Sequence, residues 1–280
     1  MTLPEMTEFA QRSNAHVFGQ GSLTLLCAHG FCSNQRIFRH QVENLHFQGT
    51  NRIVTYDLAG FGQADPCLWS AERHAGLDGY AEDMLRLIDE LDLHNIILLG
   101  ASMSAMIGAL ASIQRPERFK GLVFIGASPR YLDDGSYIGG FQQAGVDAFY
   151  DLLRLRQDWA GTLSTMMLNR PVSLSLQEIA QGVQGVKPEV ASVVARAIFQ
   201  SDYRSLLPRV RHPVLVTQTR ADSVVPVSVG QYLQRNLPNA QLALLPGVGH
   251  LPNFTEPEVF NRALLTFLTG VEAETPGRVQ

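Results

Sequence analysis

Short apolar runs alternate with amphipathic stretches along most of this 280-residue chain. Apolar runs of strand length, bounded by glycine and polar residues, are typical of buried strands. Strands are predicted at Ala15–Phe18, Ser22–Ala28, Arg52–Asp57, the run that begins at Asn95, Leu122–Ile125, Pro213–Thr217 and Gln241–Leu245. Because parallel strands need crossover connections, the strand–helix alternation from residue 22 to residue 126 predicts an α/β fold with a mostly parallel, doubly wound sheet.

Apolar residues at helical spacing predict helices between these strands. One amphipathic helix begins at Leu77 and carries acidic residues in its first turns, where they favour the helix dipole. Val225–Leu237 is predicted to form another helix, and a last helix is capped by Thr255 and ends at Gly270. The polar residues 1–13 are expected to form a loose arm.

The alternation stops between Asp133 and about Gln200, where only helical stretches rich in aromatic and aliphatic residues occur. This change predicts one discontinuous α/β domain, residues 1–133 and 201–280, with a helical lid inserted at residues 134–200. The apolar residues of the insertion must form a core of their own, and they are also suited to roof a site at the strand ends. The candidates for a substrate pocket are Phe141, Trp159 and Phe199.

Ser102 stands where the apolar run from Asn95 gives way to a segment of small residues. Gly100 and Ser104 flank it two positions away on either side, which is a small-x-Ser-x-small form of the nucleophile elbow. A sharp strand-to-helix turn would lift the serine above the sheet edge. A structural serine in a buried turn is the alternative. The uncharged stretch 95–114 also has the length of a membrane span, but its glycine- and serine-containing centre disfavours that interpretation.

Asp222 and His250 occupy places equivalent to that of Ser102, just beyond the ends of two other predicted strands. In an open α/β sheet these ends converge on the ligand crevice, and the order Ser, Asp, His is the one that α/β-hydrolases use. A serine needs a base to act as a nucleophile at neutral pH. We therefore expect Ser102 to be the nucleophile, His250 the general base and Asp222 the group that orients His250.

A tight turn, His29-Gly30-Phe31, follows the strand Ser22–Ala28. The backbone N–H groups of Phe31 and Met103, the residue after the serine, are predicted to form an oxyanion hole. A simple strand-to-helix turn is the alternative for the glycine. His29 is expected to support this loop rather than to bind a metal.

The remaining polar residues predict no metal and no cofactor. Cys27, Cys32 and Cys67 lack metal-ligand spacing, and an odd number of cysteines without a disulfide pattern favours a reducing, cytoplasmic compartment. His74 and His94 are expected to be exposed. The net charge of −4 and the absence of a Lys/Arg run argue against nucleic acid and anionic membranes as partners.

Seven passages carry a family resemblance. They are His29-Gly30-Phe31, Leu77–Ala81, Ser102–Gly108, Ile125–Leu132, Gly139-Gly140-Phe141, Phe199–Arg204 and Gly249–Pro252. Together they resemble one branch of the α/β-hydrolase superfamily, that of the bacterial stress regulator RsbQ and the plant strigolactone and karrikin receptors. The His-Gly-Phe and serine-elbow motifs are shared by the wider superfamily, whereas the Ser-Pro-Arg-Tyr-Leu and Gly-Gly-Phe passages are more specific to this branch.

The resemblance implies the α/β-hydrolase fold with a V-shaped lid of four helices over an apolar pocket. It implies the triad of Ser102, His250 and Asp222 and a hydrolase whose turnover is tied to signalling, with a protein partner at the lid. Two positions depart from the branch: Ala101 stands where it usually has histidine, and Cys32 where glycine is usual. Both adjoin the expected oxyanion hole.

Three functions are compatible with these residues. The first is a cytoplasmic serine hydrolase that acts on a small, mostly apolar ester or lactone. The second is a ligand-sensing regulator of the RsbQ kind, which binds a protein partner with slow or no turnover. The third, a C–C bond hydrolase or cofactor-free perhydrolase, is disfavoured by the branch-specific passages. A dehalogenase would need a carboxylate at the position of Ser102.

Overall fold

Seven strands form the sheet of the computed structural model, which describes residues 8–46, 51–155, 157–169 and 174–273. The strands are β1 (His16–Phe18), β2 (Leu23–Ala28), β3 (Asn51–Tyr56), β4 (Ile96–Ala101), β5 (Phe119–Ile125), β6 (Val214–Ala221) and β7 (Ala240–Val248). Their order across the sheet is β1-β3-β2-β4-β5-β6-β7. All neighbouring pairs in these ranges are parallel except β1 with β3. The predicted mostly parallel α/β sheet is confirmed.

The sequences of the central strands are continuously apolar because both faces of these strands are buried. Every residue of β2 and β4 is buried, as expected for parallel strands between two layers of helices. The sequence predicted these strands more accurately than it predicted the ends of their neighbours. β5 begins at Phe119 rather than Leu122, and β6 continues to Ala221 because its exposed last residues still pair with β7.

Helices connect and flank the strands of the described chain. They are α1 (Glu8–Arg12), α2 (Arg39–His46), α3 (Leu77–Glu90), α4 (Met103–Gln114), α5 (Gln143–Arg154), α6 (Trp159–Leu168), α7 (Leu174–Gln184), α8 (Pro188–Phe199), α9 (Val227–Asn236), α10 (Pro252–Thr255) and α11 (Pro257–Ala273). α3 packs on α4, and α11 packs on α2. α4 approaches β4 closely at Gly108, where a Cβ atom would lie 1.7 Å from Leu98 Cδ2.

Four helices, α5 to α8, lie between β5 and β6 and interrupt the strand–helix alternation. α5 contacts α8 and α6, and α6 contacts α7. This is the segment in which the sequence predicts helices and no strands. Its description as a lid with bounds at residues 134 and 200 stays a prediction.

Three expectations about local structure are wrong. Residues 8–12 are helical, with Phe9 buried and its amide donating to Glu90 Oε2 at 3.2 Å, so this part of the expected arm is packed; residues 1–7 lie outside the described ranges. The last helix continues through Gly270 to Ala273, because an exposed glycine in mid-helix costs only about 1 kcal/mol.

The third correction concerns His74, which is fully buried rather than exposed. Its Nε2 lies 3.0 Å from Asp83 Oδ2, and its ring packs 4.5 Å from the ring of Tyr80. A buried histidine needs such a partner. His94 is exposed as expected.

Candidate active site

Ser102 lies at the sharp turn between β4 and α4, with φ 54° and ψ −119°. A positive φ is unfavourable for a residue with a side chain, so the turn depends on close packing around it. Gly100 makes that packing possible, because a Cβ atom there would lie 2.7 Å from the carbonyl oxygen of Ser104. The strand, turn and helix have the form that a nucleophile elbow requires.

A chain of hydrogen bonds links the three residues that the sequence places at strand ends. Ser102 Oγ lies 2.9 Å from His250 Nε2, and His250 Nδ1 lies 2.9 Å from Asp222 Oδ2. Because a carboxylate only accepts, Nδ1 carries the proton and Nε2 is left to accept from the serine. The side chains of His250 and Asp222 are 3% and 1% exposed, so the chain is shielded from water. This arrangement can take a proton from Ser102 as its oxygen attacks an electrophile.

Backbone contacts hold Asp222 and His250 in place. The other carboxylate oxygen of Asp222 accepts the N–H groups of Val224 and Val225, at 2.8 and 3.1 Å. The N–H of His250 donates to the carbonyl oxygen of Met167 at 2.8 Å. Met167 belongs to α6, so the helical insertion touches the loop that carries the histidine.

The predicted oxyanion-hole residues are Met103, which directly follows the serine, and Phe31, which lines the same cavity as Ser102. Met103 is the first residue of α4, where N–H groups have no partner within the helix. Among the residues that the structure describes, neither amide donates to a protein acceptor. The loop of Phe31 lies against the elbow, since a Cβ atom at Gly30 would be 3.1 Å from Ser102 Cβ. Amide donors at these two residues would suit an anionic oxygen formed on a substrate of Ser102, so the oxyanion hole stays a prediction.

A small apolar cavity, with a volume of about 40 Å³, opens onto Ser102. Its lining consists of Gly30, Phe31, Ser102, Tyr131, Phe141, Leu163, Met166, Met167, Ile198, Phe199, Val224, His250 and Leu251. The ring of Phe199 forms edge contacts with Tyr131 and Phe141, at 5.9 and 5.0 Å between centroids. The cavity is far below the roughly 300–1,000 Å³ of pockets for drug-sized ligands. As it stands, it has room for a small apolar group.

Of the three predicted pocket residues, the structure places Phe141 and Phe199 on the cavity wall and Trp159 elsewhere. Trp159 is the first residue of α6 and is buried in the hydrophobic core. The wall from α6 is made by Leu163, Met166 and Met167, one and two turns further along the helix. The sequence shows that Trp159 is apolar and helical, but not which turn of the helix reaches Ser102.

The chain was compared with known protein families. A sequence profile of the α/β-hydrolase fold matches residues 24–257, most of the chain. The chain belongs to the α/β-hydrolase fold family. Family membership, together with relatives that are named esterases, supports hydrolase activity in general.

Relatives within the α/β-hydrolase family include plant receptors. Karrikin insensitive 2 receptor CA of Petunia hybrida is 36% identical over 90% of this chain and 94% of its own length. A strigolactone esterase of Arabidopsis thaliana is 34% identical over 87% of this chain and 91% of its own length. Among solved structures, a hydrolase from Oleispira antarctica superposes with a TM-score of 0.90 at 31% identity, covering 96% of this chain and 98% of that one. The resemblance to the strigolactone and karrikin receptors is confirmed.

Sequence reasoning missed one polar residue of the site. The hydroxyl of Tyr131, in the loop after β5, lies 3.1 Å from Ser102 Oγ. Burial raises the pKa of Tyr131, so this hydroxyl keeps its proton. Because Ser102 uses its own proton toward His250, Tyr131 is the donor to Ser102 Oγ. The only sequence signal was its position inside the Ser-Pro-Arg-Tyr-Leu passage.

Replacing Tyr131 by phenylalanine is expected to lower kcat/KM for a small ester about tenfold, the effect of losing one hydrogen bond to a reacting oxygen. Steady-state hydrolysis measures this. Tyr137→Phe is the matched control, because the hydroxyl of Tyr137 donates to the carbonyl oxygen of Arg130 and lies outside the cavity lining. Equal losses in both variants would contradict a role at the serine.

The two departures from the branch are both buried. Ala101 is the last residue of β4, and Cys32 has a positive φ of 49°. Burial raises the pKa of the Cys32 thiol, which keeps it protonated and unreactive.

Within the described ranges, no three His, Cys, Asp or Glu side chains are placed to hold a metal ion. Nor is any helix there long and apolar enough to cross a membrane.

Proposed function

We propose that this chain is a serine hydrolase that cleaves small apolar esters or lactones through an acyl-enzyme. The observation that carries the proposal is the continuous hydrogen-bonded chain from Ser102 through His250 to Asp222. A serine at a strained turn, joined to a shielded His–Asp pair, has the geometry of a general-base-assisted nucleophile.

The reaction runs in two halves. Ser102 Oγ attacks the carbonyl carbon while its proton moves to His250 Nε2, and the amides of Phe31 and Met103 hold the oxyanion. The bond to the leaving oxygen then breaks as Nε2 returns the proton to that oxygen. In the second half a water molecule, activated by His250, attacks the acyl-enzyme and releases the acid and free Ser102. Asp222 stabilises the imidazolium that forms in each half.

The lining of the cavity supports an apolar substrate. Its wall is aliphatic, aromatic and thioether, and the hydroxyl of Tyr131 is its one polar side-chain group beside Ser102 and His250. A charged substrate group buried there would lose its hydration without a partner. The small volume favours short acyl groups, and larger lactones require the walls from α6 and α8 to move apart.

The second candidate function is that of a ligand-sensing regulator. Such a protein would turn its ligand over slowly or not at all, and would bind a protein partner at the helical insertion. This function is favoured by contacts between α6 and the loops of the triad. Beside the bond from His250 N to Met167 O, Ser223 Oγ donates to the carbonyl oxygen of Met166 at 2.5 Å. Both bonds end on the last turn of α6. A shift of this helix on ligand binding would therefore move Asp222 and His250, and a partner bound to the insertion would sense the change.

Intact-protein mass spectrometry after incubation with a butenolide and with simple activated esters tests both candidates. A multiple-turnover hydrolase is expected to show a transient acyl adduct on Ser102 and product in excess of enzyme. A single-turnover sensor is expected to keep a stable adduct on Ser102 or His250, with product limited to one equivalent. Absence of product and adduct with every probe would contradict the hydrolase proposal.

A further inference from the structure

Ser104, the second residue of α4, makes a hydrogen bond that its position in a helix does not require. Its Oγ donates to the carbonyl oxygen of His29 at 2.5 Å, across 75 positions of sequence. A serine in the middle of a helix can bond a carbonyl of its own helix, as Ser112 does to Ala109 at 2.9 Å, but Ser104 lies too near the start of α4 to have such a partner. Ser104 is fully buried and instead ties the elbow helix to the loop that follows β2.

His29 continues this link into the next peptide. Its Nδ1 lies 2.8 Å from the carbonyl oxygen of Gly30, and its Nε2 lies 3.0 Å from the backbone nitrogen of Leu58. The carbonyl oxygen only accepts, so Nδ1 carries the proton and Nε2 accepts from Leu58. Complete burial lowers the pKa of His29 and keeps the ring neutral, as this arrangement requires.

The carbonyl that His29 holds belongs to the peptide whose nitrogen is Phe31 N. In a planar trans peptide, the C=O and N–H bonds point in opposite directions. A ring that fixes the Gly30 oxygen on one side therefore directs the Phe31 N–H to the other. A hydrogen bond to the carbonyl also polarises the amide and makes its N–H a better donor.

We infer that Ser104 and His29 are positioning residues, which together aim the Phe31 amide at the oxyanion formed on the substrate of Ser102. This inference rests on the proposed function. Ser104 holds the peptide before Gly30, and His29 holds the peptide after it. Ser104 directly follows Met103, the other proposed donor. Its bond to His29 therefore connects the segment that carries the Met103 amide with the loop that carries the Phe31 amide.

The first test replaces Ser104 by alanine and follows an activated acetate ester and a trifluoromethyl ketone, which forms a tetrahedral adduct with a serine. A misdirected amide is expected to lower kcat about tenfold. This is less than the roughly 10²–10³-fold loss in kcat caused by removing an oxyanion-hole donor altogether. The inhibition constant of the ketone rises by the same factor, because it reports oxyanion binding, while KM stays within about twofold. Ser112→Ala, another buried serine of α4, controls for the loss of a hydroxyl and should change neither constant.

The second test separates the two nitrogens of His29. An asparagine amide can take the place of Nδ1 and donate to Gly30 O, whereas a glutamine amide reaches the place of Nε2 and can accept from Leu58 N. His29→Asn is expected to keep kcat and ketone affinity within about threefold of wild type, and His29→Gln to lose about tenfold or more in both. A purely structural histidine predicts equal losses in the two variants.

The outcomes distinguish the two levels of inference. If wild type hydrolyses the ester through Ser102 but Ser104→Ala leaves kcat and ketone affinity unchanged, or the two His29 variants lose them equally, the positioning role is wrong and the hydrolase proposal stands. If wild type neither hydrolyses the ester nor binds the ketone, the proposed function itself fails.

Discussion

Ser102→Ala is expected to lower kcat for an activated acetate ester by about 10⁴-fold or more, with little change in KM. Alanine removes the oxygen that lies 2.9 Å from His250 Nε2, the base of the proposed mechanism. Binding of a small apolar ester uses the cavity walls, which the change leaves intact. The loss therefore falls on the chemical step and not on substrate affinity.

Hydrolysis measured over a range of substrate concentrations, on protein free of contaminating esterases, checks this result. Ser112→Ala serves as the matched control, because it removes a buried hydroxyl from the same helix without touching the site. Thermal unfolding of both variants shows whether they remain folded. A Ser102→Ala protein that retains more than a tenth of the wild-type rate would rule out Ser102 as the nucleophile.

The sheet and the principal polar residues of the site could be predicted because each depends on a local pattern. β2 and β4 are buried on both faces, so they appear in the sequence as uninterrupted apolar runs. The carboxyl ends of parallel strands share one edge of the sheet, so a serine, an aspartate and a histidine that each follow a strand lie on the same side of the molecule, where loops can bring them together. In the structure the loops after β6 and β7 complete this convergence.

Residues whose role depends on packing between distant segments could not be predicted. Tyr131 reaches Ser102 from the loop after β5, 29 positions along the chain. Ser104 is small, as the elbow requires, but nothing local indicates that its hydroxyl bonds His29. His74 is buried only because Asp83 and Tyr80 of α3 pack around it. Trp159 is aromatic like a pocket residue, but the cavity wall from α6 begins one turn further along, at Leu163.

Asp222→Asn is expected to lower kcat by about 10⁴-fold while leaving the fold intact. The reason lies in the three hydrogen bonds that this side chain makes. One oxygen accepts from the backbone of Val224 and Val225, and an amide nitrogen could not replace it there, because two donors would face each other. The asparagine must therefore keep its oxygen toward the backbone and turn its NH₂ group toward His250.

An NH₂ group 2.9 Å from His250 Nδ1 reverses the polarity of the bond, because Nδ1 must now accept. The imidazole proton then moves to Nε2, which faces Ser102 Oγ and can no longer take its proton. Steady-state hydrolysis should show the loss in kcat, and a two-dimensional NMR spectrum of the imidazole nitrogens should show the change of tautomer. Because the backbone bonds of residue 222 persist, the melting temperature should change little. Activity within tenfold of wild type would mean that Asp222 does not set the tautomer of His250.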